Sequence, residues 1–190
     1  MAMTAAVATR LTLAEFLALP ETEPPGEFIC GEVVQKSMPS YFHSAIIIRL
    51  IEILGPYLRR SELGRLMTEV RHADNDEERA YLPDVGVLLR TRRLDHETKR
   101  VGPVWQTPDL AIEVLSPDDR PGRVAEKVAF YLRAGVPLTW VIDPDELTLD
   151  AYRPGQPTEQ FVRRGTVSAA PVLPDFSLDL AELFSVLEED

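Results

Sequence analysis

The sequence is poor in cysteine, in basic residues and in long apolar segments. A single cysteine in 190 residues excludes an internal disulfide bond, as is common for proteins of a reducing compartment. The chain does not open with a basic segment followed by an apolar stretch, and no apolar run reaches the length of a membrane span. We therefore expect a cytoplasmic protein without a signal peptide and without a membrane partner.

The balance of charge is acidic, with 31 aspartates and glutamates against 20 lysines and arginines and a formal net charge of −11. Nucleic-acid-binding proteins usually carry a basic surface, so DNA binding by this chain would need a local concentration of basic residues. The length and a hydrophobic fraction of 45% predict one globular domain over residues 11–190, preceded by a disordered tail at residues 1–10.

The segment formed by residues 108–117 has an apolar core that carries one acidic residue. This segment is typical of a buried strand that ends at a Ser-Pro turn, and its acid is Glu113. Because side chains alternate along a strand, Leu110, Ile112 and Val114 share one face and Glu113 points to the other. A charged residue is rarely buried unless it is paired or binds a metal, which makes Glu113 the first candidate functional residue.

A second apolar segment, residues 81–89, also contains a single acid, Asp84. If the two segments form neighbouring strands, Asp84 and Glu113 converge. Two carboxylates at one point repel each other unless a cation lies between them, and hard oxygen ligands suit Mg²⁺. The alternative is that the two acids are unrelated and form separate ion pairs.

The remaining pattern predicts an α+β fold in which a mixed β-sheet is flanked by helices. Apolar residues at helical spacing indicate a helix after Ser40, which we expect to kink or end at Gly55-Pro56, and a second helix over about residues 123–134. Lys127 lies at the edge of the apolar stripe of the second helix, where its ammonium can reach a neighbouring site. It can equally be a lysine without a functional role.

Two further residues are candidates for an accessory role, His43 in the first turn of the first helix and Glu69 in a strand over residues 66–71. Either residue can also be purely structural. The densest basic stretch of the chain is a candidate DNA-binding loop that contacts phosphates, or a solubilising loop without that role. Its basic residues are Arg90, Arg92, Arg93, Lys99 and Arg100.

Several motifs occur in a characteristic order along the chain. They are Pro83-Asp84, residues 113–117 (Glu-Val-Leu-Ser-Pro), Lys127, Tyr131, Gly135-Val136 and residues 140–144 (Trp-Val-Ile-Asp-Pro). Together they resemble the Uma-type family of restriction endonucleases, which belongs to the PD-(D/E)xK nuclease superfamily. Residues 27–33, followed by His43, resemble the amino-terminal hairpin and helix of that family, so that the resemblance extends over residues 11–185.

The resemblance implies a restriction-endonuclease-like core in which Asp84, Glu113 and the backbone carbonyl of Val114 bind Mg²⁺, with Mn²⁺ as a substitute. Such a site would hydrolyse DNA phosphodiester bonds as a Mg²⁺-dependent endonuclease. The superfamily places a lysine two residues after the acid, where this chain has Leu115. The resemblance assigns the role of that lysine to Lys127, and analogy with enzymes that cut both strands implies a homodimer.

Two other functions stay open on the sequence. The acidic net charge and Leu115 favour a catalytically weak or inactive nuclease-fold protein that binds nucleic acid or a protein partner. The same acids could also serve a metal-dependent hydrolase of another phosphate ester. Contact between Lys127 and the acids would favour the active nuclease, and a long basic groove would favour DNA over smaller phosphates.

Overall fold

The computed structural model describes residues 10–29 and 31–188. The expected tail at residues 1–10 lies, apart from Arg10, outside these ranges. The first half of the chain forms α1 (Leu13–Leu17), β1 (Gly26–Ile29), β2 (Glu32–Gln35), α2 (Tyr41–Ser61), β3 (Gly64–Thr68), β4 (His72–Asp74), β5 (Arg79–Tyr81), β6 (Val85–Leu89) and α3 (His96–Val101). The second half forms β7 (Leu110–Val114), α4 (Pro121–Arg133), β8 (Leu138–Asp143), β9 (Thr148–Tyr152), β10 (Glu159–Val162), β11 (Thr166–Ser168), β12 (Ser177–Asp179) and α5 (Leu180–Phe184).

The predicted α+β fold with a mixed sheet flanked by helices is confirmed. The main sheet has six strands in the order β10-β9-β8-β7-β6-β3, in which β7 and β8 are parallel and the other neighbours are antiparallel. Because parallel strands need a long crossover, α4 connects β7 to β8. A smaller sheet has the order β2-β1-β5-β4, and β11 pairs with β12.

The two faces of β7 belong to different parts of the core. Leu110 and Ile112 lie in the cluster that also contains Ile46 and Leu50 of α2, whereas Ala111 belongs to a second cluster with Tyr131 of α4. Glu113 follows Ala111 by two residues and therefore points to the side of α4. The alternation expected from the sequence is confirmed, and it places the acid on the side of the sheet that α4 covers.

Helix α2 begins after Ser40, whose hydroxyl accepts a hydrogen bond from the backbone N–H of His43 at 3.1 Å. The expectation that it ends at Gly55-Pro56 is wrong, because the helix continues to Ser61 with the buried Leu54 and Leu58 on either side of the proline. By length and composition α2 is the one helix in the described ranges that could cross a membrane. Its buried face lies in the core cluster of the main sheet, as in the core helix of a globular domain.

The segment expected as one strand over residues 81–89 is divided. Tyr81 ends β5 in the smaller sheet, Val85 begins β6 in the main sheet, and Asp84 lies in the connection between them. Pro83 explains the break, since a proline has no N–H to donate to a strand ladder. Asp84 therefore lies where the two sheets meet, and not in the middle of a strand.

Candidate active site

The pairing of β6 with β7 brings the two predicted acids together. Val85 lies opposite Ile112 in this antiparallel pair, so that Asp84 and Glu113 are the next residues at the same end of the two strands. Asp84 is 2% exposed and Glu113 is 6% exposed. The backbone N–H of Val114 donates to Oδ2 of Asp84 at 2.8 Å, which fixes the aspartate against β7.

Two side chains of α4 contact Glu113. The ammonium of Lys127 donates to its Oε2 at 2.7 Å, and the hydroxyl of Tyr131 donates to its Oε1 at 2.7 Å. Residues four apart share a helix face, which explains why both reach the same carboxylate. Lys127 also contacts Oε1 of Glu27 in β1 at 2.9 Å, and this oxygen accepts from the backbone N–H of Leu82 at 3.1 Å.

A second lysine contacts Asp84. The ammonium of Lys36, just after β2, donates to Oδ1 of Asp84 at 2.5 Å and to the carbonyl of Leu82 at 3.2 Å. It also lies 3.7 Å from the carboxylate of Glu69. On the other side of Asp84, Nε2 of His43 is 3.4 Å from Oδ2. Both accessory candidates therefore lie near the acid pair. His43 contacts Asp84 directly, whereas Glu69 is connected to Asp84 through Lys36.

The surroundings push the pKa values of the two acids apart. Burial opposes ionisation of Asp84, but the hydrogen bond from His43 and the charge of Lys36 hold the pKa of that carboxyl well below its usual range. Burial raises the pKa of Glu113 to about 7, against the opposing effect of Lys127 and with a further rise from the charge of Asp84. Two acids with separated pKa values are a common feature of catalytic sites.

The basic and phenolic partners are shifted as well. Burial lowers the pKa of Lys127, but the charges of Glu113 and Glu27 outweigh it and hold the pKa well above its usual value. Burial and the charge of Glu113 raise the pKa of Tyr131 well above its usual value. Lys127 is therefore held as an ammonium and Tyr131 as a neutral hydrogen-bond donor.

The acids open onto a cavity of about 450 Å³ whose wall also includes Lys36, Lys127 and Arg123. Carboxylate oxygens are the ligands that a hard cation such as Mg²⁺ prefers, so the chemistry of Asp84 and Glu113 suits a metal. Within the described ranges, however, no three acidic, histidine or cysteine side chains form a ready-made metal cluster. Lysine ammonium groups occupy the positions beside both carboxylates, so a metal would have to share or displace those contacts.

The basic stretch lies outside this cavity. Arg90 pairs with Glu62, Arg92 with Asp109, and Arg100 with Glu97 of its own helix. Lys99 lines a different cavity. The structure thus brings Asp84, Glu113, Lys127 and both accessory candidates together. It does not bring the candidate DNA-binding residues to the acids. Arg93, like the other four, is absent from the wall of the cavity.

Three contributors to the site were missed on the sequence, namely Glu27, Lys36 and the hydroxyl of Tyr131. Glu27 carries the signal that singled out Glu113, an acid beside apolar strand residues. Tyr131 follows Lys127 by one helical turn among apolar residues, and a buried tyrosine hydroxyl usually has a partner. Lys36 lies in a short polar segment between β2 and α2, where no periodic pattern distinguishes it.

Comparisons with known proteins identify a family and a matching fold. The sequence model of the Uma2 family, described as "Putative restriction endonuclease", matches residues 13–181. A crystal structure described as "a putative nuclease belonging to DUF820 from Anabaena variabilis ATCC 29413" superposes with a TM-score of 0.85 at 34% identity, over 93% of this chain and 99% of that one. No curated protein matches.

Proposed function

Because the chain belongs to the Uma2 family and has a nuclease fold, we propose that it is a Mg²⁺-dependent endonuclease that hydrolyses DNA phosphodiester bonds. The observation that carries the proposal is the convergence of Asp84, Glu113 and Lys127 at one cavity, with Lys127 at 2.7 Å from Glu113. Three separate stretches of the chain supply these residues, and all three line the same cavity.

In this proposal Asp84, Glu113 and the backbone carbonyl of Val114 hold the Mg²⁺ ion, and Mn²⁺ can substitute for it. The bound ion supplies the polarisation of a phosphate and a lower pKa for a water molecule. The hydrogen bond from the N–H of Val114 keeps Asp84 oriented, and that from Tyr131 does the same for Glu113. The chain thus orients both acids before any ligand arrives.

Lys127 takes the role for which Leu115 has no suitable group. Its ammonium reaches the acid from α4 and not from β7, and two carboxylates keep it charged. A fixed positive charge beside a phosphate stabilises the negative charge that develops as water attacks. Arg120 and Arg123 on the wall of the cavity are further cations available to the DNA backbone.

A homodimer belongs to the same proposal, since cutting both strands with one small domain needs two active sites. The outer face of α2 supports it, because Tyr41, Ile48 and Ile51 are exposed apolar residues at helical spacing. Sedimentation of the wild type beside Ile48→Asp tests this part. We expect a dimer that the charge converts to a monomer, and a monomeric wild type would contradict the expectation.

One observation favours the alternative, a nuclease-fold protein that binds nucleic acid or a partner without cutting. Lysines neutralise both acids, which is the arrangement expected if no metal is needed. The net charge of −11 also favours a surface other than a long basic groove. Binding of DNA without cleavage at any concentration of Mg²⁺ or Mn²⁺ would support this alternative.

The decisive experiment is cleavage of supercoiled plasmid by the purified chain in Mg²⁺, in Mn²⁺ and in a chelator. We expect nicked and linear DNA only with metal, and a loss of at least about 100-fold in Asp84→Asn, the scale for removing a group that orients or stabilises the reacting atoms.

Asp109→Asn is a matched control. Asp109 is also buried, accepts a backbone N–H and pairs with a cation, but it lies away from the cavity. A wild type that cuts plasmid in neither metal would refute the proposed function. Equal rates for wild type and Asp84→Asn, or equal losses in Asp84→Asn and Asp109→Asn, would refute the assignment of Asp84.

A further inference from the structure

Lys36 lies in a position that resembles the site of a cation. Its ammonium has three oxygen neighbours, namely Oδ1 of Asp84 at 2.5 Å, the carbonyl of Leu82 at 3.2 Å and the carboxylate of Glu69 at 3.7 Å. Carboxylate and carbonyl oxygens are also the ligands of hard divalent cations. The ammonium therefore occupies the kind of oxygen cage that a divalent metal would use.

The cage is not part of a sealed core. Lys36 and Asp84 line the cavity that contains Glu113, and Leu82 and Glu69 line a different cavity. The side chain of Glu69 is 57% exposed, so one side of the cage faces solvent, whereas that of Lys36 is 11% exposed.

Lys127 also lines the cavity and is equally exposed, at 11%, but its acids differ. Both of them, Glu113 and Glu27, are buried, with side chains 7% and 6% exposed. Releasing the ammonium of Lys127 would leave two buried carboxylates without a cation, which is costly. Releasing the ammonium of Lys36 leaves one of its two acids, Glu69, in contact with solvent, so a metal replaces Lys36 at the lower cost.

We propose that Lys36 is a resident counter-ion of the acid pair, whose ammonium competes with a divalent metal for Oδ1 of Asp84. This inference rests on the proposed function, since it requires that a metal bind at Asp84. The ammonium and the metal carry charges of the same sign and share one ligand atom, so binding of either weakens binding of the other. The chain therefore binds metal more weakly than Asp84 and Glu113 would bind it without the ammonium of Lys36 beside them.

The test is a calorimetric titration with Mn²⁺ of the wild type and of Lys36→Met, which keeps the length of the side chain and removes the charge. We expect Lys36→Met to bind Mn²⁺ at least about tenfold more tightly, the scale on which competing ligands are coupled. Lys36→Gln is a second neutral variant, in case the methionine impairs folding. Lys36→Arg keeps the charge and should bind no more tightly than the wild type.

Two controls separate local competition from general effects. Arg60→Met removes a positive charge from an exposed position outside the cavity and should leave Mn²⁺ affinity unchanged. Adding Asp84→Asn to Lys36→Met should abolish the gain, because the competition is for an oxygen of Asp84. A gain that is equally large in Arg60→Met would overturn the inference in favour of a long-range charge effect.

The outcomes also distinguish this inference from the proposed function. If Glu113→Gln abolishes Mn²⁺ binding while both neutral variants of Lys36 bind like the wild type, the metal site stands and the competition is refuted. Weaker DNA binding by those variants at unchanged Mn²⁺ affinity would likewise refute it and assign Lys36 to phosphate. If no variant binds Mn²⁺, the metal-dependent function fails and the inference fails with it.

Discussion

The two acids of the site lie in surroundings of the same composition but of different openness. Each acid is paired with a lysine, and each lysine contacts a second acid. The two lysines are equally exposed, at 11%, but both acids around Lys127 are buried, whereas the second acid beside Lys36, Glu69, is largely exposed. The first arrangement suits a permanent charge beside the reaction centre, and the second suits a charge that can be exchanged.

The pKa values follow the same division. The pKa of Asp84 is held well below its usual range despite burial, because His43 and Lys36 stabilise the ionised form. The pKa of Glu113 is raised to about 7 by burial, even with Lys127 beside it. Burial raises the pKa of both carboxyls, so the opposite shifts come from the additional hydrogen bond of His43 to Asp84 and from the charge of Asp84 beside Glu113.

The largest effect should come from removing the buried lysine. Lys127→Met leaves Glu113 and Glu27 buried without their cation, which typically costs about 3–5 kcal/mol of folding free energy. Cleavage should also fall by at least about 100-fold, the scale for losing a group that stabilises charge in the transition state. Urea unfolding and plasmid cleavage measure the two effects. Cleavage that is retained in a folded Lys127→Met variant would show that another residue stabilises the charge of the transition state.

Lys36→Met should be the milder change. Asp84 keeps the N–H of Val114 and the ring of His43 as partners, so we expect a loss of about 1–3 kcal/mol, the range for a hydrogen bond to a charged group. Urea unfolding of this variant beside Lys127→Met compares the two surroundings directly. A loss as large as that of Lys127→Met would show that the two lysines are held equally firmly.

The second acids provide a finer comparison. Glu27→Gln removes a buried charge that contacts Lys127 and should cost about 1–3 kcal/mol, as for a hydrogen bond to a charged group. Glu69→Gln removes an exposed charge at 3.7 Å from Lys36 and should cost less than about 0.5 kcal/mol, as for surface pairs. Thermal unfolding of both variants measures the difference, and equal losses would contradict the assigned openness of the Lys36 side.

The smallest effect is expected from the titration of His72, which lies outside the surroundings of Asp84 and Glu113. Burial lowers its pKa, against the opposing hydrogen bond between its Nδ1 and the carbonyl of Gln106 at 2.6 Å. Because the folded pKa lies below the unfolded one, the stability from His72 is complete above about pH 6.5 and is lost as the pH falls below that value.

Unfolding of the wild type and of His72→Asn between pH 5 and pH 8 measures this contribution. Asparagine keeps a donor near the position of Nδ1 but does not titrate. The free energy of unfolding of the wild type, taken relative to that of the variant, should fall towards acidic pH. A difference in unfolding free energy that does not change with pH would show that His72 has the same pKa in the folded and unfolded chain. Any loss of stability at acidic pH would then come from other groups.

The sequence predicted the site residues that lie in regular strands and helices. Glu113 lies in a strand and Lys127 in a helix, so alternation and helical spacing placed both side chains on the correct faces. On the sequence, convergence of Asp84 with Glu113 depended on their segments being neighbours, and the pairing of β6 with β7 meets that condition. What it could not give was the end of β5 at Tyr81, since Pro83 moves the chain from one sheet to the other.

Lys36 was missed for a related physical reason. It lies in the segment between β2 and α2, where neither a period of two nor one of 3.6 residues applies. Its contact with Asp84 depends on how the smaller sheet packs beside the main one, and this is a property of the whole fold. The basic stretch was proposed from clustering in sequence, and three of its residues, Arg90, Arg92 and Arg100, pair with nearby acids outside the cavity. Its role in DNA binding stays a prediction.

Calorimetric titration with Mn²⁺ of the wild type and of Glu113→Gln tests directly whether Asp84 and Glu113 form a metal site. The substitution keeps the shape of the side chain and an oxygen that can accept from Tyr131. If Asp84 and Glu113 form a metal site, the wild type binds one ion per chain and Glu113→Gln loses that binding. Equal binding in both proteins would place the metal elsewhere and contradict the account.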